Sequence, residues 1–234
     1  RDDVFLRKIK PPKTVNVLYF GLKEKSEFMA SQISLHDSRV HFVLNKRHAF
    51  SLKTLGRFNI YNALAGIGCG LVFGVSIKKI KNSLEDFEFP RHRLHKIDCA
   101  RFSIIDDTYN SNPLSLRGAV ESLLEYDVRG RRIVIMGDML ELGRRSLELH
   151  REMGAFLAKK PIDMLVTLGR LSKASAQAAK TNNSDHRAIV TFDSKDELIA
   201  FLKNHLQVGD MLLIKGSRLL KMEEISASLQ NHAL

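Results

Sequence analysis

Tryptophan is absent from this 234-residue sequence, and cysteine occurs only twice, at Cys69 and Cys99. The two cysteines match neither a disulfide framework nor the spacing of a metal site. No apolar stretch approaches the ~20 residues that are needed to span a bilayer. No signal-peptide pattern is present, so we expect a cytoplasmic protein without a membrane span.

Two kinds of catalytic pattern are missing as well. None of the 14 glycines is followed by lysine, so the sequence lacks a Gly-Lys-Ser/Thr loop, whose backbone amides would cradle phosphates. No Ser/His/Asp or Cys/His arrangement indicates a covalent nucleophile. The histidines show no ligand spacing, and we therefore predict no protein-bound structural metal.

Basic residues are abundant, and the formal net charge is +11. Such a charge favours an anionic partner. The basic residues are scattered and are not interleaved with aromatic residues, which argues against a nucleic-acid platform. A phosphorylated small molecule fits the charge equally well, and an acidic segment of a longer protein could also offset it.

The first 90 residues show the pattern of a small sheet followed by two helices. A glycine- and alanine-rich segment and an amphipathic segment capped by Ser76 are typical of helices. The predicted elements are strands at 15–22, 39–45 and 48–53, with a turn near Asn45-Lys46, and helices at 56–72 and from 77 onward. This pattern indicates an antiparallel or mixed sheet. Pro90 discourages helix continuation, so we expect two domains, residues 1–90 and 91–234.

From residue 91 onward, apolar strands alternate regularly with helical segments. The predicted strands lie at 102–106, 132–136, 163–167, 188–192 and 211–215, and the helices at 114–126, 145–159, 171–180, 195–204 and 220–230. This alternation predicts an α/β domain with a mainly parallel sheet covered by helices. Right-handed crossovers place the carboxyl ends of the parallel strands along one edge, which we call the carboxyl edge.

Residues 104–113, Ile-Ile-Asp-Asp-Thr-Tyr-Asn-Ser-Asn-Pro, are the most informative segment. An apolar strand ends in Asp106 and Asp107, and Asn112 and Pro113 supply a helix N-cap and a first helical residue. Ligands of open α/β sheets bind beyond the carboxyl ends of the strands. The segment therefore predicts a ligand site, and the alternative is an ordinary strand-turn-helix with solvated acids.

Four motifs together resemble the Mur ligases, the ATP-dependent amide-forming enzymes of peptidoglycan synthesis. The motifs are GRFNIYNALA at 56–65, IIDDTYNSNP at 104–113, MGDMLELG at 136–143 and LLIKGSR at 212–218. The opening Arg-Asp-Asp also looks like a stretch of the family's central domain. The resemblance implies the C-terminal part of that central domain, followed by the family's Rossmann-like C-terminal domain.

The family's ATPase centre uses a Gly-Lys-Ser/Thr loop, a magnesium-binding glutamate and a modified lysine. The resemblance implies that these groups lie upstream of Arg1 and that ATP and Mg²⁺ are the cofactors. It also implies that this segment by itself does not turn over ATP.

The resemblance assigns one set of side chains to ATP: Asn59, Asn62, Arg93, Asp107, Tyr109 and Asn110. An amide suits an adenine edge because it offers both a donor and an acceptor. The arginine fork suits ribose and phosphate oxygens, and the carboxylate would hold the ribose hydroxyls. Helix capping is the alternative for Asn59, and Arg91 is the alternative to Arg93. Phe58 stands where the family usually has histidine, which removes one polar contact.

A second set is implied to face an incoming dipeptide: Asp138, Glu141, Lys215, Gly216 and Ser217. A carboxylate in the 137–143 loop would hold the dipeptide ammonium, and Lys215 would clamp the dipeptide carboxylate. The structural alternatives are a capped, solvated loop and an exposed lysine. His150 matches a family histidine, for which structural and functional roles are both open.

The resemblance implies an enzyme that adds D-alanyl-D-alanine to a UDP-N-acetylmuramoyl tripeptide. Its partners would be these two substrates and ATP, without nucleic acid, and we expect a monomer. One alternative is a sibling ligase that adds another amino acid, or glutamate to a folate. Another is a non-catalytic binding module that retains the fold.

Overall fold

A computed structural model describes residues 1–36, 38–182 and 188–231 of the chain. The chain divides between Phe89 and Pro90 into two compact units. Each unit packs helices against a β-sheet, and the predicted α/β class is therefore confirmed. No helix among the described residues is both long enough and apolar enough to cross a membrane.

The first unit, as far as it is described, contains four strands and two α-helices. They are β1 (Phe20–Gly21), β2 (Phe28–His36), β3 (Arg39–Leu44), β4 (His48–Leu52), α1 (Asn59–Val72) and α2 (Ile77–Asp86), preceded by a 3₁₀ turn at Leu6–Lys8. The strands lie in the order β1-β2-β3-β4. β1 is parallel to β2 and the other neighbours are antiparallel, so the predicted mixed sheet is confirmed.

One strand prediction in the first unit was wrong, and one strand was missed. The strand expected at 15–22 is reduced to β1, and its exposed residues include Val15 and Leu18. Strand β2 was not predicted, because a bulge between Ser31 and Ser34 breaks the alternation of its side chains. The predicted turn is confirmed: Asn45-Lys46 has positive φ angles at both residues and joins β3 to β4.

The core of the first unit lies between the sheet and its two helices. The rings of Phe42 and Phe50 stack with centroids 5.2 Å apart, and Ile60 and Leu64 of α1 are fully buried against the same cluster. Ser76 Oγ accepts a hydrogen bond from the Lys79 amide, which confirms the predicted cap of α2.

Asp2 ties the start of the chain to β1 and α1. Its carboxylate accepts hydrogen bonds from the amides of Leu22 (2.7 Å) and Glu24 (2.9 Å) and from the Tyr61 hydroxyl (2.7 Å). Burial by itself raises the pKa of Asp2, but these hydrogen bonds outweigh it and lower the pKa to about 2. Burial and the neighbouring carboxylate together raise the pKa of Tyr61.

The second unit, within its described residues, contains six strands and five α-helices. They are β5 (His95–Asp98), β6 (Ser103–Asp107), α3 (Pro113–Leu124), β7 (Arg132–Gly137), α4 (Ser146–Ala158), β8 (Met164–Leu168), α5 (Ser172–Thr181), β9 (Ala188–Phe192), α6 (Lys195–His205), β10 (Met211–Lys215) and α7 (Glu223–Gln230). The strand order is β5-β6-β10-β7-β8-β9. Only the β5–β6 pair is antiparallel, and the predicted mainly parallel sheet is confirmed.

Most element predictions in the second unit are confirmed to within a few residues. Strand β5 was not predicted, because its sequence carries a single apolar residue, Ile97, at an edge of the sheet. Helix α7 begins at Glu223 and not at 220, because a 3₁₀ turn occupies Arg218–Leu220 and is followed by Lys221, which has a φ of 48°. Asn112 caps α3 and Ser194 caps α6, as predicted.

Strand β10 lies between β6 and β7, although it is the last strand of the chain. In register, Lys215 of β10 is opposite Asp107 of β6 on one side and Met136 of β7 on the other. The loop after β10 therefore lies between the loops that follow β6 and β7. This order places the end of β10, at Lys215, between the ends of β6, at Asp107, and β7, at Gly137, although these residues are far apart in the sequence.

Candidate nucleotide and substrate site

In the first unit, the two amide side chains that are predicted to bind ATP are joined to each other. Asn59 Nδ2 donates to Thr54 Oγ1 (2.8 Å), and Asn62 Nδ2 donates to Asn59 Oδ1 (2.9 Å). Asn59 is buried and is therefore a support for Asn62. The alternative role of Asn59 as helix N-cap is wrong, because α1 begins at Asn59 itself and the preceding Phe58 makes no side-chain cap.

In the second unit, Asp106 and Asp107 clamp the residues on either side of Arg93. His92 Nδ1 lies 2.9 Å from Asp106 Oδ2, and the Leu94 amide donates to Asp107 Oδ1 (3.1 Å). His92 and Leu94 both have positive φ angles, 66° and 48°, a conformation that costs free energy unless its surroundings hold it. The two carboxylates thus fix the backbone that carries Arg93.

Asp106 also shapes the turn after β6. Its Oδ1 accepts hydrogen bonds from both the amide (3.2 Å) and the hydroxyl (2.7 Å) of Thr108. The expectation that Asp106 supports this turn is confirmed. Together with the contact to His92, these bonds occupy both oxygens of a carboxylate that is almost fully buried.

Arg93 stacks on Tyr109, with its guanidinium carbon 4.0 Å from the ring centroid. The Tyr109 amide donates to the His92 carbonyl (3.0 Å), which holds the ring beside the arginine. No carboxylate among the described residues pairs with Arg93, so its charge is available to an anion. Arg91 is exposed, and within the described part of the chain only Arg93 of the two stacks on an aromatic ring, so the geometry favours Arg93 over Arg91.

The ammonium of Lys215 lies against the same turn. Lys215 Nζ is 2.5 Å from Asp107 Oδ2 and 2.9 Å from the Asn110 carbonyl oxygen. The Lys215 residue is only 2% exposed. Burial outweighs the attraction within the pair: it raises the pKa of the Asp107 carboxyl and lowers the pKa of the Lys215 ammonium. The sequence placed Asp107 and Lys215 in different sites, and the structure pairs them.

Asp138 is directed at the start of α5. Its Oδ1 accepts the amide of Ser172, the first residue of that helix, at 2.6 Å, and its main-chain carbonyl accepts the Ser217 amide at 3.0 Å. A carboxylate at this position satisfies a helix amide and complements the helix dipole. Asp138 therefore caps the start of α5, and a capping role was one alternative for this loop. The other carboxylate oxygen of Asp138, Oδ2, remains for a ligand.

The loops after β7 and β10 are joined by hydrogen bonds. Ser217 Oγ accepts the Leu140 amide at 2.7 Å, and the two glycines Gly137 and Gly216 pack closely. A Cβ on Gly216 would lie 3.2 Å from Gly137 Cα and 2.7 Å from Met222 Cγ. A glycine is therefore required at position 216 for this packing. Glu141, in the loop after β7, is exposed and has a positive φ angle.

His150 is fully buried below this loop. Its Nε2 accepts the Met139 amide (3.0 Å), and its Nδ1 donates to the Ser146 carbonyl (2.7 Å). Both ring nitrogens are thus used within the protein, and the neutral Nδ1–H tautomer is required. The structure supports a structural role for His150, because it holds the loop from beneath.

Sequence reasoning missed His92, Thr108 and Ser172 as parts of the site. The Pro-Arg-His-Arg-Leu segment had drawn attention to its arginines only. A histidine between two arginines, close in sequence to an acidic pair, was the available signal for His92. Thr108 and Ser172 act through short-range turn and helix-end geometry, which their residue types do not reveal.

Two family models match the chain. The one described as Mur ligase middle domain matches residues 1–70, and the one described as Mur ligase, glutamate ligase domain matches residues 92–218. Since the second match alone covers more than half of the chain, the chain belongs to the Mur ligase family.

Within that family, the chain is similar to UDP-N-acetylmuramoyl-tripeptide–D-alanyl-D-alanine ligases. It is 33% identical to that of Buchnera aphidicola subsp. Acyrthosiphon pisum over 228 residues, which is 94% of this chain and 48% of the relative. It is 32% identical to that of Escherichia coli over 213 residues, 88% of this chain and 45% of the relative. The chain spans about half the length of the curated relatives it matches.

Solved structures agree with this similarity. The MurF of Acinetobacter baumannii superposes with a TM-score of 0.79 and 32% identity, covering 92% of this chain and 47% of that one. The MurF of Thermotoga maritima in complex with ADP superposes with a TM-score of 0.81 over 99% of this chain and 52% of that one. At 23% identity, the second similarity shows the fold alone.

Proposed function

We propose that this chain is part of an ATP-dependent ligase that adds D-alanyl-D-alanine to a UDP-N-acetylmuramoyl tripeptide in peptidoglycan synthesis. The observation that carries the proposal is the similarity to ligases of that name. Relatives from Bacillus subtilis, Buchnera aphidicola and Escherichia coli align with 88–94% of this chain at 29–33% identity. A sibling ligase and a non-catalytic module have no comparable support.

The nucleotide is assigned to the carboxyl edge near Arg93. Asp107 would accept hydrogen bonds from the ribose hydroxyls through the lone pairs that the Leu94 amide and the Lys215 ammonium do not use. Arg93 would donate hydrogen bonds to ribose and phosphate oxygens. Tyr109 and Asn110 shape the turn that carries these groups. Asn62 of the first unit is proposed to face the adenine base, and Asn59 is proposed to support Asn62. The MurF of Thermotoga maritima, which shares this fold, is in complex with ADP.

The dipeptide is assigned to the loops after β7 and β10. The free Oδ2 of Asp138 and the exposed Glu141 are candidates for its ammonium, and the Gly216 amide and Ser217 hydroxyl are candidate donors to its carboxylate. Lys215 was expected to clamp that carboxylate, but its side chain is buried beside Asp107. The phosphate loop, the Mg²⁺ ligands, the monomeric state and the cytoplasmic location stay predictions.

The proposed reaction is an acyl-phosphate ligation. ATP phosphorylates the terminal carboxylate of the tripeptide, the dipeptide amine attacks the acyl phosphate, and the tetrahedral intermediate expels phosphate. Such chemistry depends on positioning and charge neutralisation more than on a covalent nucleophile. A rigidly held Arg93 and an anchored Asp107 would contribute the positioning of the nucleotide.

The test uses the purified full-length protein that contains this chain. Phosphate release is measured with ATP, the UDP-linked tripeptide and D-alanyl-D-alanine, and then with each omitted. We expect release only with all three, and a product heavier than the tripeptide by one dipeptide. Turnover with single amino acids but not with the dipeptide would indicate a sibling ligase, and ADP binding without any turnover would indicate a binding module.

Asp107→Ala in that protein tests the nucleotide assignment. Losing a hydrogen bond to a charged group typically costs about 1.5–3 kcal/mol, or roughly 10- to 150-fold in affinity. We expect the ATP KM to rise, or kcat/KM to fall, on that scale. Unchanged ATP kinetics in a folded variant would show that Asp107 is not part of the nucleotide site.

A further inference from the structure

The Lys215 side chain is not accessible to a bound dipeptide. The residue is 2% exposed, and its ammonium contacts Asp107 Oδ2 (2.5 Å) and the Asn110 carbonyl oxygen (2.9 Å). Its three N–H donors are therefore directed at the turn after β6, with a third oxygen, the Asp107 carbonyl, at 3.5 Å. A ligand carboxylate would have to displace these oxygens to reach it.

The sheet order explains why Lys215 faces this turn. Strand β10 pairs with β6 in parallel, and the Cα atoms of Lys215 and Asp107 are register partners. Both residues end their strands, so their side chains meet at the carboxyl edge. The pairing is thus fixed by the backbone register and does not depend on one side-chain rotamer.

The contact fixes both oxygens of the Asp107 carboxylate. Oδ1 accepts the Leu94 amide (3.1 Å) and Oδ2 accepts the Lys215 ammonium. A buried ion pair adds little stability, because desolvation offsets the attraction, but removal of one partner leaves an uncompensated charge. Without Lys215, Asp107 would keep one anchor only, and the Asn110 carbonyl would lose its donor.

We propose that Lys215 is a positioning residue of the nucleotide site, which acts through Asp107 and the 107–110 turn and does not contact the dipeptide. The inference rests on the proposed role of Asp107 in binding the nucleotide. It assigns the carboxyl end of β10 to both ligands: Lys215, the last residue of the strand, serves the nucleotide side, and Ser217 in the following loop serves the dipeptide side.

A double-mutant cycle in the full-length protein tests the proposal. The variants are Lys215→Met, Asp107→Asn and the combination of both, with Lys173→Met as a matched control. Lys173 lies on the same unit, in an exposed ion pair with Asp193, and we expect its loss to change nothing. For each protein, ADP affinity is measured by calorimetry, and the KM values for ATP and for D-alanyl-D-alanine are measured separately.

We expect Lys215→Met to weaken ADP binding by roughly 10- to 150-fold and to leave the dipeptide KM within about threefold. In the Asp107→Asn background, the same change is expected to cause no further loss of ADP affinity, because Lys215 acts through Asp107. A general folding defect would not produce this split between the two substrates.

Other outcomes would overturn the proposal. A raised dipeptide KM with normal ADP affinity means that Lys215 contacts the dipeptide, and additive losses of ADP affinity mean that it acts independently of Asp107. If Lys215→Met alone does not fold, the combined variant, which has no unpaired buried charge, is compared with Asp107→Asn: equal ADP affinity supports the proposal and weaker affinity refutes it.

The wild-type protein separates this inference from the proposed function. Wild type that binds ADP but does not use D-alanyl-D-alanine contradicts the proposed ligase activity, while the ADP measurements still decide the role of Lys215. Wild type that does not bind ADP refutes both.

Discussion

Asp138 has two carboxylate oxygens with separable roles, and two substitutions distinguish them. Oδ1 accepts the Ser172 amide at 2.6 Å at the start of α5, and Oδ2 is the proposed contact for the dipeptide ammonium. Asp138→Ala removes both oxygens. Asp138→Asn keeps an oxygen that can accept the Ser172 amide but removes the negative charge.

The magnitude follows from the hydrogen bond and its position. A buried donor left without its partner costs about 1–3 kcal/mol, and the lost charge at a helix N-terminus costs about 0.3–1 kcal/mol more. We therefore expect Asp138→Ala to destabilise the second unit by about 2 kcal/mol, or on the order of 6 °C in Tm for a domain of this size. Asp138→Asn is expected to lose only the smaller, electrostatic part.

The assays are thermal unfolding, followed by circular dichroism, and dipeptide KM in the full-length protein. Both variants are expected to raise the dipeptide KM by roughly 10-fold or more, because both lose the charge. Asp193→Asn, at an exposed position just after β9, is the matched control and should alter neither quantity. A normal dipeptide KM in Asp138→Asn would refute the proposed contact with the dipeptide ammonium. Normal stability in Asp138→Ala would refute a stabilising role of Asp138 as a helix cap.

Three further predictions follow from the described residues. Gly154→Ala should destabilise the α4–α5 packing by about 1–3 kcal/mol or more, measured by urea unfolding, because the new Cβ would lie 2.1 Å from the Ser175 carbonyl oxygen. Asp2→Asn should lower stability at neutral pH. The folded pKa of about 2 lies below the ordinary value of 3.8, so the contribution of Asp2 is present above about pH 4 and is lost as pH falls toward about 2. The isolated 234-residue chain, in which no glycine precedes lysine, should release no phosphate from ATP.

Each of these predictions has its own control. Gly66→Ala, where a Cβ meets nothing within 4 Å, should stabilise its helix by about 0.5–1 kcal/mol, opposite in sign to Gly154→Ala. The stability difference between wild type and Asp2→Asn should shrink on acidification, and a difference that is constant with pH would contradict the shifted pKa. Phosphate release by the isolated chain that requires both ligase substrates would refute the third prediction.

The regular part of the fold could be predicted from sequence because it depends on local pattern. The five parallel strands and their helices follow from apolar runs, and Asn112, Ser76 and Ser194 identify helix starts by residue type. The missed elements were β2, whose bulge breaks the alternation, and β5, which has one apolar residue. The pattern of apolar residues in these two strands does not distinguish them from loops.

The candidate site, like the fold, has features that the sequence predicts and features that it does not. The sequence by itself determined the four motifs, and it determined that the loops of the three motifs after residue 91 gather at one edge of a parallel sheet. Only the tertiary structure decided which loops touch, because strand order is set by packing across the whole sheet and not by neighbouring residues. The insertion of β10 between β6 and β7 brings Lys215 against Asp107, 108 residues away in sequence. This long-range pairing is the reason for proposing that Lys215 serves the nucleotide and not the dipeptide.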